Sequence, residues 1–349
     1  MRYAGFRTVL VGLVLFVGLI LPVQAFEIEA QKRYPLASAQ QTLTILSTAD
    51  IEVFEPIIRA FQLANPDIGI NYVTSGSTEV MRAIYEEGAQ FDLVISSAMD
   101  LQTKLANDGF ALDYSSEATS TLPQWATWRN QVFGFTQEPA VMVISEASFE
   151  GLDVPRTRQE LIELLRDNPD RFAGRVGTYD VRTSGLGYLF ATQDSRNTES
   201  FWRLTEVMGR LDAQLYCCSG AMISDVASGK LALAYNVLGS YAASQLQGAD
   251  GLKIVYLDDF VGVMLRTALI PRGAKQPEAA GRMIDFLARL GAHPDLSVAT
   301  GLPPITDQQQ AAGTVLRPIR MGPGLLVFLD QLRRETFLRS WTSSIKQNE

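Results

Sequence analysis

The chain has 349 residues, a length that suits two ordinary domains or one two-lobed domain. Apolar residues make up 47% and charged residues 19%, which supplies a sizeable core and excludes general disorder. The 30 Lys and Arg against 38 Asp and Glu give a net charge of -8, so no broad basic stripe is available for nucleic acid. One His and two Cys exclude most metal sites built from those residues.

The first 25 residues read as a secretory signal peptide. Arg2 and Arg7 form a basic start, an uncharged apolar run follows, and Val23-Gln24-Ala25 offers small residues for cleavage after Ala25. The apolar run is shorter than the roughly 20 residues of a spanning helix. Cleavage would remove two positive charges and leave 28 basic against 38 acidic groups, a net of -10. The expected compartment is the periplasm. There, the adjacent Cys217 and Cys218 could pair between molecules, stay reduced, or close a vicinal disulfide, the favoured state, which would rigidify one loop.

Residues 26–41 read as an irregular polar leader. Strand-like runs at 42–46, 68–73 and 91–95 then alternate with helix-like stretches at 52–64, 78–87 and 100–107. In the first helix Val53, Ile57, Phe61 and Ala64 share one face. Strand–helix units of this length close as a parallel sheet with helices on its faces. A second such region starts at 175–180. It continues through helices at 200–210 and 221–228, a strand at 231–235, a helix at 240–247 and a strand at 253–256. Residues 277–290 are amphipathic, and 322–338 read as a further helix. The extended apolar runs 132–144 and 261–270 read as two crossings between lobes. The expected division is a signal peptide at 1–25, a first lobe from 26–135 and 262–349, and a second lobe from 136–261. The fold class is α/β.

In such sheets ligands bind outside the carboxyl ends of strands, against helix starts. The first lobe offers Ser47 and Thr48, then Ser75, Gly76 and Ser77, then Ser96 and Ser97. The second offers Arg182, Thr183 and Ser184, then Ser219, then Tyr235, Asn236 and Tyr241. Any one hydroxyl could simply cap a helix; repetition at successive handovers points to a shared site. Two lobes with matching polar loops describe a hinge-closing clamp on a small anion. No metal or cofactor is expected. A hydrolase would need a placed His, and His293 sits in Ala292-His293-Pro294 with no motif around it.

Several stretches resemble the iron(III)-type extracellular solute-binding proteins of ABC importers. They are Leu43-Thr44-Ile45-Leu46-Ser47, Phe54-Glu55-Pro56, Asn65-Pro66-Asp67, Ser75-Gly76-Ser77, Phe91-Asp92-Leu93-Val94, Glu138-Pro139 and Ile270-Pro271-Arg272-Gly273. The resemblance covers nearly the whole chain after residue 25. It implies a two-lobed periplasmic-binding-protein fold of the type II-like kind, with mainly parallel sheets flanked by helices and two hinge crossings. It also implies a small-molecule solute, an ABC permease in the inner membrane as partner, and a monomer. Ferric iron is the family alternative, but ferric members share an adjacent tyrosine pair where this chain has only Tyr241 after Asn236. Branches that take carboxylates or phosphate esters are more similar in their loops. The segment 317–341 resembles a subgroup associated with two-component sensors, so a sensor kinase is the alternative partner.

Overall fold

The computed structural model describes residues 25–246, 250–306, 310–311 and 314–347. The expected signal peptide, apart from Ala25, lies outside the described residues, as does the end of the expected helix at 247. Among the described residues no helix is long and apolar enough to cross a membrane.

The alternation of apolar runs and amphipathic stretches produces two sheets. The chain opens with β1 (Ala30–Tyr34), β2 (Gln41–Ser47), α1 (Ile51–Ala64), β3 (Ile68–Thr74), α2 (Ser77–Tyr85), β4 (Leu93–Ser96) and α3 (Met99–Asn107). A short α4 (Glu117–Ser120) leads to β5 (Thr127–Trp128) and β6 (Val132–Gly134). The second lobe takes β7 (Glu138–Ser145), α5 (Arg158–Asp167), α6 (Pro169–Phe172), β8 (Val176–Tyr179), α7 (Gly185–Asn197) and α8 (Ser200–Arg210). It continues with β9 (Gln214–Tyr216), α9 (Ser219–Ala227), β10 (Leu233–Leu238), α10 (Gly239–Gln245), β11 (Leu252–Val255) and β12 (Val261–Met264). The strand β13 (Thr267–Leu269) returns to the first sheet, followed by α11 (Pro277–Ala288) and α12 (Pro294–Thr300). The last elements are β14 (Gln310–Ala311), β15 (Thr314–Pro318) and α13 (Gln331–Ile345).

The first sheet has the order β1-β3-β2-β4-β13-β6-β5, and the second β14-β15-β12-β7-β10-β8-β9 with β11 also on β7. Each contains a parallel run, β3-β2-β4 and β10-β8-β9. The crossing strands pair antiparallel, β13 with β4 and β6, β12 with β7, because the chain traverses the lobes in both directions. The parallel strands are largely buried, β10 throughout and β3 at all but one residue, as strands between helix layers are. Phe54, Ile57, Ile58 and Phe61 of α1 pack with Met283, Ile284 and Leu287 of α11 on the first sheet.

The two expected crossings run between the sheets, β6 to β7 and β12 to β13. A third passage lies beside them. The Gln137 N–H donates to the Pro303 carbonyl at 2.9 Å, and Thr136 bridges Pro304, as the chain heads from α12 to β15 in the second sheet.

Three sequence expectations are corrected. Residues 26–41 are not wholly irregular: β1 pairs antiparallel with β3, at the edge of the sheet where polar residues are tolerated. The C-terminal segment does not stay with the first lobe, since β15 joins the second sheet and α13 packs on α8. Gly209 makes that packing possible: a Cβ there would stand 2.3 Å from the Ser344 carbonyl oxygen. Burial of Phe337, Trp341 and Ile345 in this contact stabilises it by about 1.5–3 kcal/mol per side chain. Finally, the helix expected at 322–338 divides into a 3-10 segment at Pro323–Leu329 and α13, because the Asp330 carboxylate accepts from the Arg333 N–H and starts a new helix.

Candidate functional site

Where strands of both sheets hand over to helices, the lobes leave a cleft of about 360 Å³. The first lobe lines it with Glu29, Thr48, Asp50, Ser75, Gly76, Ser77 and Ser97, the second with Leu186, Cys218, Ser219, Gly220, Ala221, Leu238 and Tyr241. Lobe-to-lobe hydrogen bonds flank it. The Leu186 N–H donates to Ser77 Oγ at 3.3 Å, the Thr78 hydroxyl donates to the Thr183 carbonyl, and the Asp50 N–H donates to the Tyr241 hydroxyl at 3.3 Å. The two lobes are thus in contact beside the cleft.

The starts of α2 and α9 reach the cleft from opposite lobes through Gly76-Ser77 and Ser219-Gly220-Ala221. Neither helix has a side-chain cap, so the positive end of its dipole lies at the cleft. The walls also hold two carboxylates. Burial, with Asp50 and Glu27 nearby, raises the Glu29 carboxyl above its usual range. Burial raises Asp50 too, against the opposing pull of Arg266.

Behind the cleft, at the crossings, lies a fully buried ion pair. Arg266 Nε and Nη2 donate to Glu138 Oε1 and Oε2 at 2.9 and 3.0 Å, and both side chains are 0% exposed. The Thr136 hydroxyl at 2.8 Å and the Ser240 hydroxyl donate to the same carboxylate. Arg266 Nη1 reaches Thr48 Oγ1 at 3.5 Å. One pair thus ties both crossings, the first-lobe loop and the start of α10. Its charges cancel one another, so it adds little net charge to the cleft. Glu138 was noticed in the sequence only as part of a family motif, and Arg266 gave no signal because no motif surrounds it.

The structure sorts the expected site residues into three groups. Thr48, Ser75, Gly76, Ser77, Ser97, Ser219 and Tyr241 line the cleft. Ser47 and Ser96 lie just beneath it, fully buried: Ser47 Oγ accepts from the Tyr72 hydroxyl at 2.7 Å and the Ala49 N–H at 3.0 Å, and Ser96 Oγ accepts from the Ala98 N–H at 3.1 Å. They shape the two loops. The remaining five do not line the cleft. Arg182 folds back on its own loop, where Nε and Nη2 donate to the Asp180 carboxylate at 2.8 and 2.7 Å. Thr183 offers its carbonyl to Thr78, and Ser184 Oγ caps α7 by accepting from the Gly187 N–H at 3.2 Å.

Tyr235 and Asn236 are drawn into the second lobe. The Tyr235 hydroxyl donates to Asp194 Oδ2 at 3.0 Å and accepts from Arg158 Nε at 2.8 Å, and Asn236 Nδ2 donates to Asp194 Oδ2 at 2.9 Å. Alternation along β10 puts Tyr235 on the same face as Leu233, toward the α5–α8 core. A bulge between Ala234 and Val237, with Asn236 at φ 61°, then brings Leu238 to the cleft instead.

Cys217 and Cys218 are free thiols, contrary to the expected vicinal disulfide. Consecutive Cα atoms are about 3.8 Å apart, closer than the roughly 4.4–6.8 Å that disulfides span without strain. The extended backbone at Cys218 leads directly into α9 instead of bending to close the ring. Burial, with Cys217 beside it, pushes the Cys218 thiol up to about 12, so it stays protonated at neutral pH. Among the described residues no group of three or more His, Cys, Asp or Glu side chains could hold a metal ion.

Residues 43–291 match the family model of bacterial extracellular solute-binding proteins. The substrate-binding protein of an ABC transporter from Agrobacterium tumefaciens is 32% identical over 90% of this chain and 98% of its own, with a TM-score of 0.84. Two more distant structures share the fold. The periplasmic binding protein AfuA from Actinobacillus pleuropneumoniae, with fructose-6-phosphate bound, is 15% identical over 88% of this chain and 99% of its own, with a TM-score of 0.71. Iron-bound HitA from Pseudomonas aeruginosa is 18% identical over 89% and 99%, with a TM-score of 0.68. No curated protein sequence matches. The two sheets, the crossings and the cleft between them accord with this likeness, and the chain belongs to the bacterial extracellular solute-binding proteins.

Proposed function

We propose that the protein is the periplasmic receptor of an ABC importer, a monomer that clamps a small oxyanion-bearing solute, a carboxylate or phosphate ester, and presents it to an inner-membrane permease. The observation that carries this reading is the approach of the uncapped starts of α2 and α9 to one cleft from opposite lobes. Main-chain N–H groups at helix starts favour an oxyanion without any cationic side chain. Hydroxyls of Thr48, Ser77, Ser97 and Ser219 supply further donors. Only the closed arrangement brings both helix starts to one solute, so binding shifts the population toward closure.

Mass spectrometry of the solute that co-purifies from the periplasm, with thermal shift against carboxylates, phosphate esters and Fe(III), tests the proposal. An oxyanion that raises Tm in proportion to the logarithm of its concentration is the expected result. Stabilisation by Fe(III) and by no oxyanion would sink it.

A further inference from the structure

The cleft presents an electrostatic mismatch to a plain anion. Its lining includes Glu29 and Asp50 and no Lys, Arg or His. The guanidinium behind it, Arg266, is fully buried and bidentate on Glu138. Asp50 holds the N-cap position of α1, yet its side chain makes no capping bond, so the carboxylate is not consumed by its own helix. Glu29 extends over the start of α2: a Cβ placed on Gly76 would lie 3.7 Å from Glu29 Oε1. Both carboxylates line the first-lobe wall of the same cleft, and Asp50 raises the proton affinity of Glu29. The α9 start, Ser219-Gly220-Ala221, faces them from the other lobe with no carboxylate on its own residues.

Building on the oxyanion reading above, we propose that the solute is a zwitterion: its oxyanion sits on the α9 start and its ammonium group lies between Glu29 and Asp50. A plain anion would bring like charge against two carboxylates, with no cationic side chain on the cleft lining to offset it. An ammonium group offsets both carboxylates and donates three hydrogen bonds to them. Charges at the two ends also set the orientation, since reversal would bring the anion against the two carboxylates. The solute class is thus an amino-phosphate or amino-carboxylate of a few carbons.

Isothermal titration with matched probes tests this. The pairs are O-phosphoethanolamine against ethyl phosphate, and β-alanine against propionate. For at least one pair the amine-bearing member is expected to bind tenfold or more tightly than its partner. Glu29→Gln and Asp50→Asn are each expected to reduce that preference severalfold while leaving binding of the amine-free partner equal or stronger. Circular dichroism and Tm of both variants verify that they fold. Equal binding within each pair, or a preference that survives both substitutions, overturns the zwitterion. Affinity for ethyl phosphate that climbs steeply as pH falls, with no gain from the amine, also overturns it, because protons would then be neutralising the carboxylates. Silence of all four probes at tens of millimolar overturns the oxyanion reading itself.

Discussion

The strand-to-helix handovers of the two lobes read alike in sequence but are used differently. In the first lobe, Ser47-Thr48, Ser75-Gly76-Ser77 and Ser96-Ser97 all lie on the cleft or directly beneath it. In the second, Arg182 and Ser184 serve their own loop, Tyr235 and Asn236 enter the lobe's interior, and only Ser219 and Tyr241 reach the cleft. The difference follows from side-chain reach. A serine or threonine at a strand end has a short reach, so its hydroxyl stays close to where the backbone puts it. A tyrosine or arginine extends several ångströms and can satisfy its polar end elsewhere. Here Arg158, only 3% exposed, gathers Tyr235, Asp194 and Asp259 around one guanidinium. Small polar residues at handovers are therefore the better site predictors.

Substitutions can break this contrast, and the largest effect is expected at Arg158. Arg158→Met leaves Asp194 buried without its cation and should cost about 3–5 kcal/mol of stability in denaturant unfolding. Solute affinity of the folded protein should hold. A loss of affinity without a loss of stability would place that network in the site and erase the contrast.

The third handover of the first lobe carries a different buried charge. Asp100, in the first turn of α3, is 2% exposed, and one of its carboxylate oxygens has no hydrogen-bond partner. Burial raises its carboxyl to about 7, only partly offset by main-chain hydrogen bonds and by Arg334. A folded-state value above the unfolded one means the native state binds the extra proton. Stability is then fully present below about pH 4 and is lost as pH rises through about 7, by roughly 2–4 kcal/mol. Asp100→Asn should flatten that part of a Tm-against-pH profile and raise Tm at pH 8. An unchanged slope would assign the pH dependence to another group.

Smaller effects are expected at the cleft wall. Ser77→Ala removes the acceptor of the Leu186 N–H across the lobes. The closed form should lose about 0.5–1.5 kcal/mol, a two- to twelvefold weaker solute affinity by calorimetry, with less change in the Tm of the ligand-free protein. The smallest effect belongs to Arg182, which the sequence reading placed in the site and the structure pairs with Asp180. Arg182→Ala should change stability by no more than about 0.5 kcal/mol and leave solute affinity unaltered. A tenfold affinity loss there would restore it as a solute contact.

Legibility varied in a way that physical chemistry explains. The strand at 42–46 and the helix at 52–64 were readable because Leu43, Ile45 and Leu46 concentrate β-forming apolar residues and α1 shows one apolar stripe. The helix α7 was missed. It is buried through most of its length, from Gly185 to Thr192, so it shows no polar–apolar period, and its first turn holds two glycines. Gly187 is required there, since a Cβ would come within 2.3 Å of Tyr179 Cβ. Within the site, Glu29 gave no signal because it precedes β1 in a stretch read as an irregular leader, and Asp50 was passed over beside more familiar hydroxyls.

Short motifs such as Asn65-Pro66-Asp67 and Ser75-Gly76-Ser77 carried the family resemblance, and the apolar periodicity foretold two α/β lobes with crossings between them. These are properties of local sequence, since burial of one face or both imprints itself on neighbouring residues. The tertiary structure alone decided which polar groups meet. It brought Arg266 to Glu138 across 128 positions, turned Tyr235 inward through the register of β10, and set Glu29 and Asp50 in a cleft with helix starts. Net charge describes the whole surface, whereas the character of the site comes from a few groups brought together by long-range packing, and no local pattern records that encounter.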